Sequence, residues 1–420
     1  MSSAVPTELV RAGALTRDSA AAGGLPGLAC GVYLHVPFCT RKCSYCAFYS
    51  EPGLRSVDRY LDALIRELDH AGAAIVQPRT LFVGGGTPSV LSLRQWERLV
   101  EALHRSWSRP PAEWTVECNP ATLSLDKARL LRQAGVNRIS LGVQSLDEAI
   151  LQRLGRVHDR TEVIRSFDIL RRAGFDNVNL DLMFAVPGQT LDSWLQTLRE
   201  AVALGSEHLS AYELTYEEDT ALYHQLKAGK LDIDEDLASA MFDALHEVTA
   251  AHGLHPYEIA NFARSHPGHP GPLPAYACQH NVGYWRGWPY LGFGPSASSF
   301  ADGVRTRKHA NTQLYCELLE RGEPAIELTD ILSPLARAGE IAAFGLRLLV
   351  GWPFDQFQKT TGFDLRGPWQ GDLDRMVELG WGDLDPFGFR LTPHGLRFAD
   401  AAAELLLRPD PAPCDLAEGS

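Results

Sequence analysis

The sequence predicts an α/β fold: a partial barrel of about six β/α units, followed by a small winged-helix-like α+β module. Three observations carry this. From 31 to 204, short runs rich in β-branched and aromatic residues alternate with amphipathic stretches, the pattern of parallel strands joined by crossover helices. A Pro/Gly/His run, HPGHPGPLP over 266–274, then breaks the alternation. From Ser333 the pattern changes to several short helices, a short strand and a last helix.

Taken in order, residues 1–29 are rich in Ala, Gly, Ser and Thr with little apolar periodicity, and read as a mobile leader. The barrel, 30–265, is expected to place strands near 32–36, 80–83, 114–117, 138–143, 178–184 and 208–212. Helices are expected near 57–71, 93–107, 125–134, 148–154, 162–173 and 191–204. Such a set falls short of the eight units that close a barrel. A helix at 234–252 and a strand at 257–262 end this region. Residues 266–330 read as a linker and an aromatic, Gly-rich segment that closes a cavity. Residues 331–410 read as the C-terminal module, with a strand at 389–392 and a helix at 394–407, and 411–420 as a tail.

Composition narrows the function. The 420 residues are 45% apolar, enough to bury at least one large core. A formal net charge of -13 repels polyanions, and residues 331–420 carry eight Lys/Arg against 13 Asp/Glu, the wrong balance for a DNA-reading wing. No nucleic-acid partner is expected. No stretch approaches the ~20 apolar residues of a membrane helix, and 1–29 lacks a signal peptide's basic start and apolar centre, so the expected compartment is the cytoplasm. Eight cysteines are too few for a disulfide scaffold. Three of them lie within eight positions, which in a reducing compartment suggests metal binding.

Those three, Cys39, Cys43 and Cys46, sit in GVYLHVPFCTRKCSYC, a strand running into a loop. Three thiolates on one loop suit three irons of a cubane and leave the fourth open to another ligand. They also suit a Cys3His zinc site using His35. At Gly84–Ser89, GGGTPS follows a strand, where missing side chains admit a ligand to the backbone, although many tight turns are equally glycine-rich. Glu117, Gln144 and Asp181 fall at or near the carboxyl ends of successive strands, the rim that would also carry the cysteines. Taken singly, Glu117 and Asp181 read equally as caps of the helices that follow.

With the cysteine loop, GGGTPS, ECNP (117–120), GVQS (142–145) and NLDL through PGQT (179–190) in this order, the chain resembles radical S-adenosylmethionine (SAM) proteins related to oxygen-independent coproporphyrinogen III oxidase. HNVGYW (280–285) and the small C-terminal module make it most similar to the HemW heme-chaperone branch. The resemblance covers most of the chain and implies a partial (β/α)6 radical SAM barrel. It implies a [4Fe-4S] cluster on Cys39, Cys43 and Cys46, with SAM on the remaining iron. It also implies that Tyr33, Tyr45, Gly85, Gly86, Thr87 and Glu117 line SAM, and that Gln144, Arg156 and Asp181 touch SAM or a second molecule beside it. Flavodoxin or ferredoxin is the implied class of electron donor.

Two departures from the oxidase favour the chaperone branch. Phe48 stands where the oxidase has a further cysteine, and residues 1–29 show no substrate-clamping segment. The resemblance then implies heme as ligand, passed to an acceptor hemoprotein such as a membrane-bound respiratory enzyme. His280 is the candidate heme ligand, with Tyr284, Trp285, Trp288 and Tyr290 covering the macrocycle and the loop 292–297 closing one side. Two readings compete: His280 as a hydrogen-bonding member of a packed loop, and Cys278 as the ligand. At the level of function the alternative is an enzyme that oxidatively decarboxylates coproporphyrinogen III or modifies another tetrapyrrole. A zinc-stabilised interaction protein is the third class. His266 and His269 lack a third ligand and read as exposed, and Trp352, Phe354 and Phe357 read as core.

Overall fold

The structure, a computed structural model, describes residues 30–71, 77–107 and 109–410. The expected leader at 1–29 and tail at 411–420 lie outside the described residues. Strand β1 (Gly31–Val36) leads to a short parallel pair, β2 (Phe38–Cys39) and β3 (Glu51–Pro52), that brackets the cysteine loop. Then follow α1 (Val57–Ala71), β4 (Thr80–Gly85), α2 (Leu93–Ser106), β5 (Glu113–Cys118), α3 (Leu125–Ala134) and β6 (Arg138–Gln144). After these come α4 (Glu148–Leu154), α5 (Arg160–Arg172), β7 (Val178–Phe184), α6 (Leu191–Ala203) and β8 (His208–Glu213). β1, β4, β5, β6, β7 and β8 are parallel neighbours in that spatial order, so the expected run of β/α units is present.

Alternation along each strand sets the chemistry of its two faces. Val32, Leu34, Val83, Val116, Ile139, Leu141, Leu180 and Leu182 are fully buried in the main core. The intervening residues, including Tyr33, Glu117, Ser140, Asn179 and Asp181, belong to the opposite face, which is the barrel interior. Local signals hold the helices. Ser92 with Gln95 and Asp159 with Glu162 form capping boxes, and Gly135 and Gly155 end α3 and α4 in the left-handed conformation.

Beyond β8 the structure departs from expectation. After α7 (Ala221–Lys227) and α8 (Glu235–Ala251), the strand expected at 257–262 is instead a tight antiparallel pair, β9 (His255–Pro256) and β10 (Asn261–Ala263). β10 then pairs with β8. The segment expected to be a linker and closing loop continues the same sheet. Following α9 (Gln279–Trp285), β11 (Tyr290–Phe293) pairs in parallel with the free side of β1. β12 (Ser298–Ala301), β13 (Val304–Lys308), α10 (Thr312–Glu320) and β14 (Ile326–Ile331) complete a 12-stranded sheet. Leu291, Phe293, Tyr315 and Ala325 share the barrel's core, so the Pro/Gly/His run separates no independent core.

The C-terminal module has its own core, which includes Trp352, Phe357, Trp369 and Phe389. It comprises α11 (Pro334–Gly345), β15 (Trp352–Pro353), α12 (Phe354–Thr361), α13 (Gln370–Glu378), β16 (Gly382–Leu384), β17 (Gly388–Leu391) and α14 (Ala399–Leu406). Its strands form a three-stranded sheet, of which the sequence showed one, and the helix expected from 394 begins as a 3-10 turn at Gly395–Phe398. The module docks on the barrel through Arg286, which donates to the Gly351 carbonyl at 2.8 Å, and through Arg347 beside Glu258 at 3.7 Å.

Candidate functional site

The rim is organised around the passage from β1 into the cysteine loop. Register pairs Val36 with Gly85, so the glycine loop leaves β4 where β1 ends. Gly86 N–H donates to Val36 O and Thr87 N–H to Phe38 O, both at 2.8 Å. A Cβ on Gly86 would lie 2.7 Å from Phe38 O, so only glycine permits this approach. Gly85 has φ +110, and a Cβ there would meet the His35 ring at 2.6 Å. The Thr87 hydroxyl lies 3.5 Å from Cys39 Sγ.

His35 is a hinge pin between loops. Its Nε2 donates to Tyr49 O at 2.8 Å, and its Nδ1 accepts from the Tyr33 hydroxyl at 3.0 Å. Burial lowers its pKa to about 4, which keeps the ring neutral. To complete a Cys3His zinc site, its one lone pair would have to give up the Tyr33 hydroxyl. Among the described residues, no three His, Cys, Asp or Glu side chains gather tightly enough to hold a single metal ion.

Cys39, Cys43 and Cys46 are half-buried free thiols on one loop. Burial, and then the neighbouring Cys43 and Cys39, raise the Cys46 pKa, whereas the Phe48 backbone and Lys42 lower it. Three soft sulfurs that feel one another suit an iron–sulfur cluster. The loop is clamped to the end of α4: Ser44 N–H donates to Leu154 O at 3.1 Å, and its hydroxyl donates to Arg153 O at 3.0 Å. Arg156 Nη1 reaches Cys43 Sγ at 3.4 Å, with Tyr45 beside the guanidinium.

Across the rim, Glu117 Oε2 accepts from Gly85 N–H at 3.1 Å. Asp181 accepts from the Ser140 hydroxyl at 2.9 Å and the Asn179 amide at 2.8 Å. Neither carboxylate caps a helix; Asn119 and Thr190 cap the segments that follow. Burial, and then Asp181, push Glu117 up to about 8. Burial also raises Asp181, although Ser140, Arg138, Asn179 and Ser210 pull it down. Gln144 sits at a β6 bulge with φ +66, and Ala185, just past β7, has φ +57. Left-handed backbone at non-glycine residues costs of order 1–3 kcal/mol and concentrates at functional sites.

A pH prediction follows from Glu117. In the unfolded chain it ionises near its ordinary 4.5, and in the fold only near 8. The unfolded state is therefore the more ionised between these values, so this cost to folding is absent below the lower one and complete above the upper. Glu117→Gln is expected to remove a decline in the stability of the cofactor-free protein between pH 5 and pH 9, read as urea midpoints. Parallel profiles for wild type and variant would contradict it.

Beside the glycine loop lies a cavity of about 340 Å³, walled by Tyr33, Phe48, Tyr49, Phe82, Tyr284 and Tyr290, with His280 and Ser296–Ser298. His280 stacks on Phe82 at 5.2 Å between centroids; its Nδ1 lies 2.8 Å from the Thr80 hydroxyl and its Nε2 3.2 Å from that of Tyr284. Burial, and then Arg138, lower its pKa to about 3. Cys278 is fully buried, its thiol donating to Glu113 at 3.5 Å. The two tryptophans expected over the same ligand turn away. Trp285, the last residue of α9, packs on Phe344 of the module, and Trp288, in the turn after the helix, lies under the Arg79 guanidinium. His266 is exposed as expected, whereas His269, its ring 5.4 Å away, is half-buried against the turn at Gly271.

Sequence reasoning missed Glu113, which accepts the N–H groups of Gln279 (2.8 Å) and His280 (2.9 Å) and so fixes the start of α9. It also missed Lys127, a buried ammonium tying Ser89 O to Thr122 O. The signal for Glu113 was a charge at the first position of a strand otherwise expected to be buried.

Six neighbouring parallel strands with a three-cysteine loop and a glycine loop at their carboxyl rim are the marks of the radical SAM class. The Radical SAM superfamily model matches residues 33–201, and the HemN C-terminal domain model matches 332–398. The structure superimposes on Escherichia coli coproporphyrinogen III oxidase (HemN), a radical SAM enzyme, with a TM-score of 0.77 at 22% identity, covering 91% of both chains. The heme chaperone HemW of Bacillus subtilis is 35% identical over 83% of this chain and 91% of its own length. That of Escherichia coli is 34% identical over 90% and 97%. The chain belongs to the HemW family of radical SAM proteins. Membership implies a [4Fe-4S] cluster and SAM. No helix among the described residues is long and apolar enough to cross a membrane.

Proposed function

We propose that this chain is a cytoplasmic heme chaperone. In this reading, Cys39, Cys43 and Cys46 hold a [4Fe-4S] cluster with SAM beside it, and heme is carried to acceptor hemoproteins such as a membrane-bound respiratory enzyme. The observation that carries the reading is His280, a neutral imidazole in the wall of an otherwise largely aromatic cavity next to the rim. With Nδ1–H donating to Thr80, the Nε2 lone pair faces the Tyr284 hydroxyl, and iron would take that hydroxyl's place. Cys278 is the weaker ligand because it is sealed in the core.

On the rim, Tyr33, Tyr45, Gly85, Gly86, Thr87 and Glu117 would line SAM, and Gln144, Arg156 and Asp181 would face it or a second molecule. The cluster and SAM supply one-electron chemistry when bound, with flavodoxin or ferredoxin as the class of donor. Exposed Phe48, in place of a further cysteine, favours carriage over porphyrinogen oxidation.

Reconstituted protein is expected to bind heme with a Soret band that weakens at least tenfold in affinity on His280→Ala and is unchanged on Cys278→Ser. An unchanged spectrum and stoichiometry in His280→Ala would remove His280 from this role. Protoporphyrinogen IX formed from coproporphyrinogen III, SAM and reductant would overturn the chaperone reading in favour of an enzyme.

A further inference from the structure

Arg156 is a buried guanidinium without a carboxylate partner. Nη2 donates to Gly142 O at 2.7 Å, Nη1 to Cys43 Sγ at 3.4 Å, and buried Nε has no hydrogen-bond partner. Among the described residues its polar neighbours include Tyr45, Cys43, the Gly142 carbonyl, Gln144 and His158, and none is a carboxylate. A charge withdrawn from water in this way is favoured by a nearby anion.

The backbone is arranged to hold it there. Gly155 turns the chain at φ +73 directly after α4, so that Arg156 points back over the cysteine loop. A Cβ on Gly142 would lie 3.4 Å from Nη2 and 3.2 Å from Gln144 Nε2, so the strand's missing side chain makes room for the guanidinium. The two Ser44 hydrogen bonds to the end of α4 fix Cys43 against the same turn.

We infer that Arg156, through its N–H···S contact with Cys43, is a positioning residue that sets the reduction potential of the cluster. The inference rests on Cys39, Cys43 and Cys46 holding that cluster. The Cys43 thiol of this structure stands in for the thiolate ligand. A donor to a ligating sulfur and a nearby positive charge both favour the reduced state, which carries one more negative charge. This role is separate from any contact Arg156 makes with SAM, because the sulfur contact is built by the protein alone.

The test is a redox titration of the anaerobically reconstituted protein, followed by the electron paramagnetic resonance signal of the reduced cluster, with and without SAM. Poised at the wild-type midpoint without SAM, Arg156→Gln is expected to show a reduced-to-oxidised ratio about tenfold lower, a downward shift of ~59 mV for one electron. Arg156→Lys keeps the charge but not the two-pronged reach, and is expected to fall about threefold; it decides the matter should Arg156→Gln assemble no cluster. A SAM-free potential equal to wild type in the variants that assemble, with a change only when SAM is added, would overturn the inference and leave Arg156 as a SAM contact. Absence of a cluster from wild type itself would overturn the underlying reading instead.

Discussion

Replacing Cys39, Cys43 and Cys46 together by alanine is expected to reduce iron and acid-labile sulfide from about four per chain to background after anaerobic reconstitution. The visible iron–sulfur absorbance should disappear with them. Thiolates are the ligands, and the protein supplies no substitute nearby: His35 is neutral with both ring nitrogens engaged, and Glu117 is held by Gly85. SAM affinity is expected to fall at least tenfold, because its amino and carboxylate groups lose the open iron. The fold should survive, since the three thiols are only half-buried and lie outside the main core. Metal analysis with circular dichroism separates the outcomes. Full iron retention in a folded triple variant would contradict the assignment, and one zinc per wild-type chain in place of iron would point to the interaction-protein reading.

Trp352→Ala is expected to cost about 3–5 kcal/mol, the range for removing a buried tryptophan. The side chain is fully buried at the centre of the module's core. Its Nε1–H is shared between the carbonyls of Ile341 and Ala342, each at 3.2 Å, and its ring meets Phe357 edge-on at 5.3 Å. Helix α11 is shaped to receive it: a Cβ on Gly345 would lie 1.9 Å from Nε1. On the other side the Arg286 guanidinium stands 4.6 Å from the ring, its pKa lowered to about 10 by burial. Removing the indole leaves that cation without its aromatic partner, adding to the cavity term. Arg286 follows α9 directly, so the lesion should also loosen the helix that carries His280. Urea unfolding measures the loss, and a change under 1 kcal/mol would show that the module tolerates the cavity.

The strands and helices of the barrel were legible because their signals are local. Runs rich in β-branched and aromatic residues marked β1 and β4 through β8, and amphipathic stretches marked the helices between them. The rim could be read for the same reason, since Gly85, Glu117 and Gln144 sit at or next to a strand's carboxyl end and Asp181 lies within β7 on the same inward face as Glu117. Elements defined by partners distant in sequence were not. β11 is four residues long, includes Gly292 and is specified by pairing with β1; β9 and β10 are shorter still. The surroundings of His280 were equally hidden, for Thr80, Phe82 and Glu113 come from strands roughly 170 to 200 residues earlier. Nothing in Gln144 or Ala185 foretells a left-handed backbone, because it is imposed by the bulge and the turn around them.

The pairing of β1 with β11 has a consequence for how the molecule is made. The first strand of the sheet, Gly31–Val36, hydrogen-bonds on one side to Thr80–Gly85, which leaves the ribosome soon afterwards, and on the other to Tyr290–Phe293. During synthesis that second side is an open row of amides and carbonyls until the distant segment emerges. Such an edge invites pairing with other chains. Closing it also requires ordering a very long loop, which slows the final step. The nascent chain therefore completes the wall of the aromatic cavity only late, after every residue of the cysteine rim has emerged.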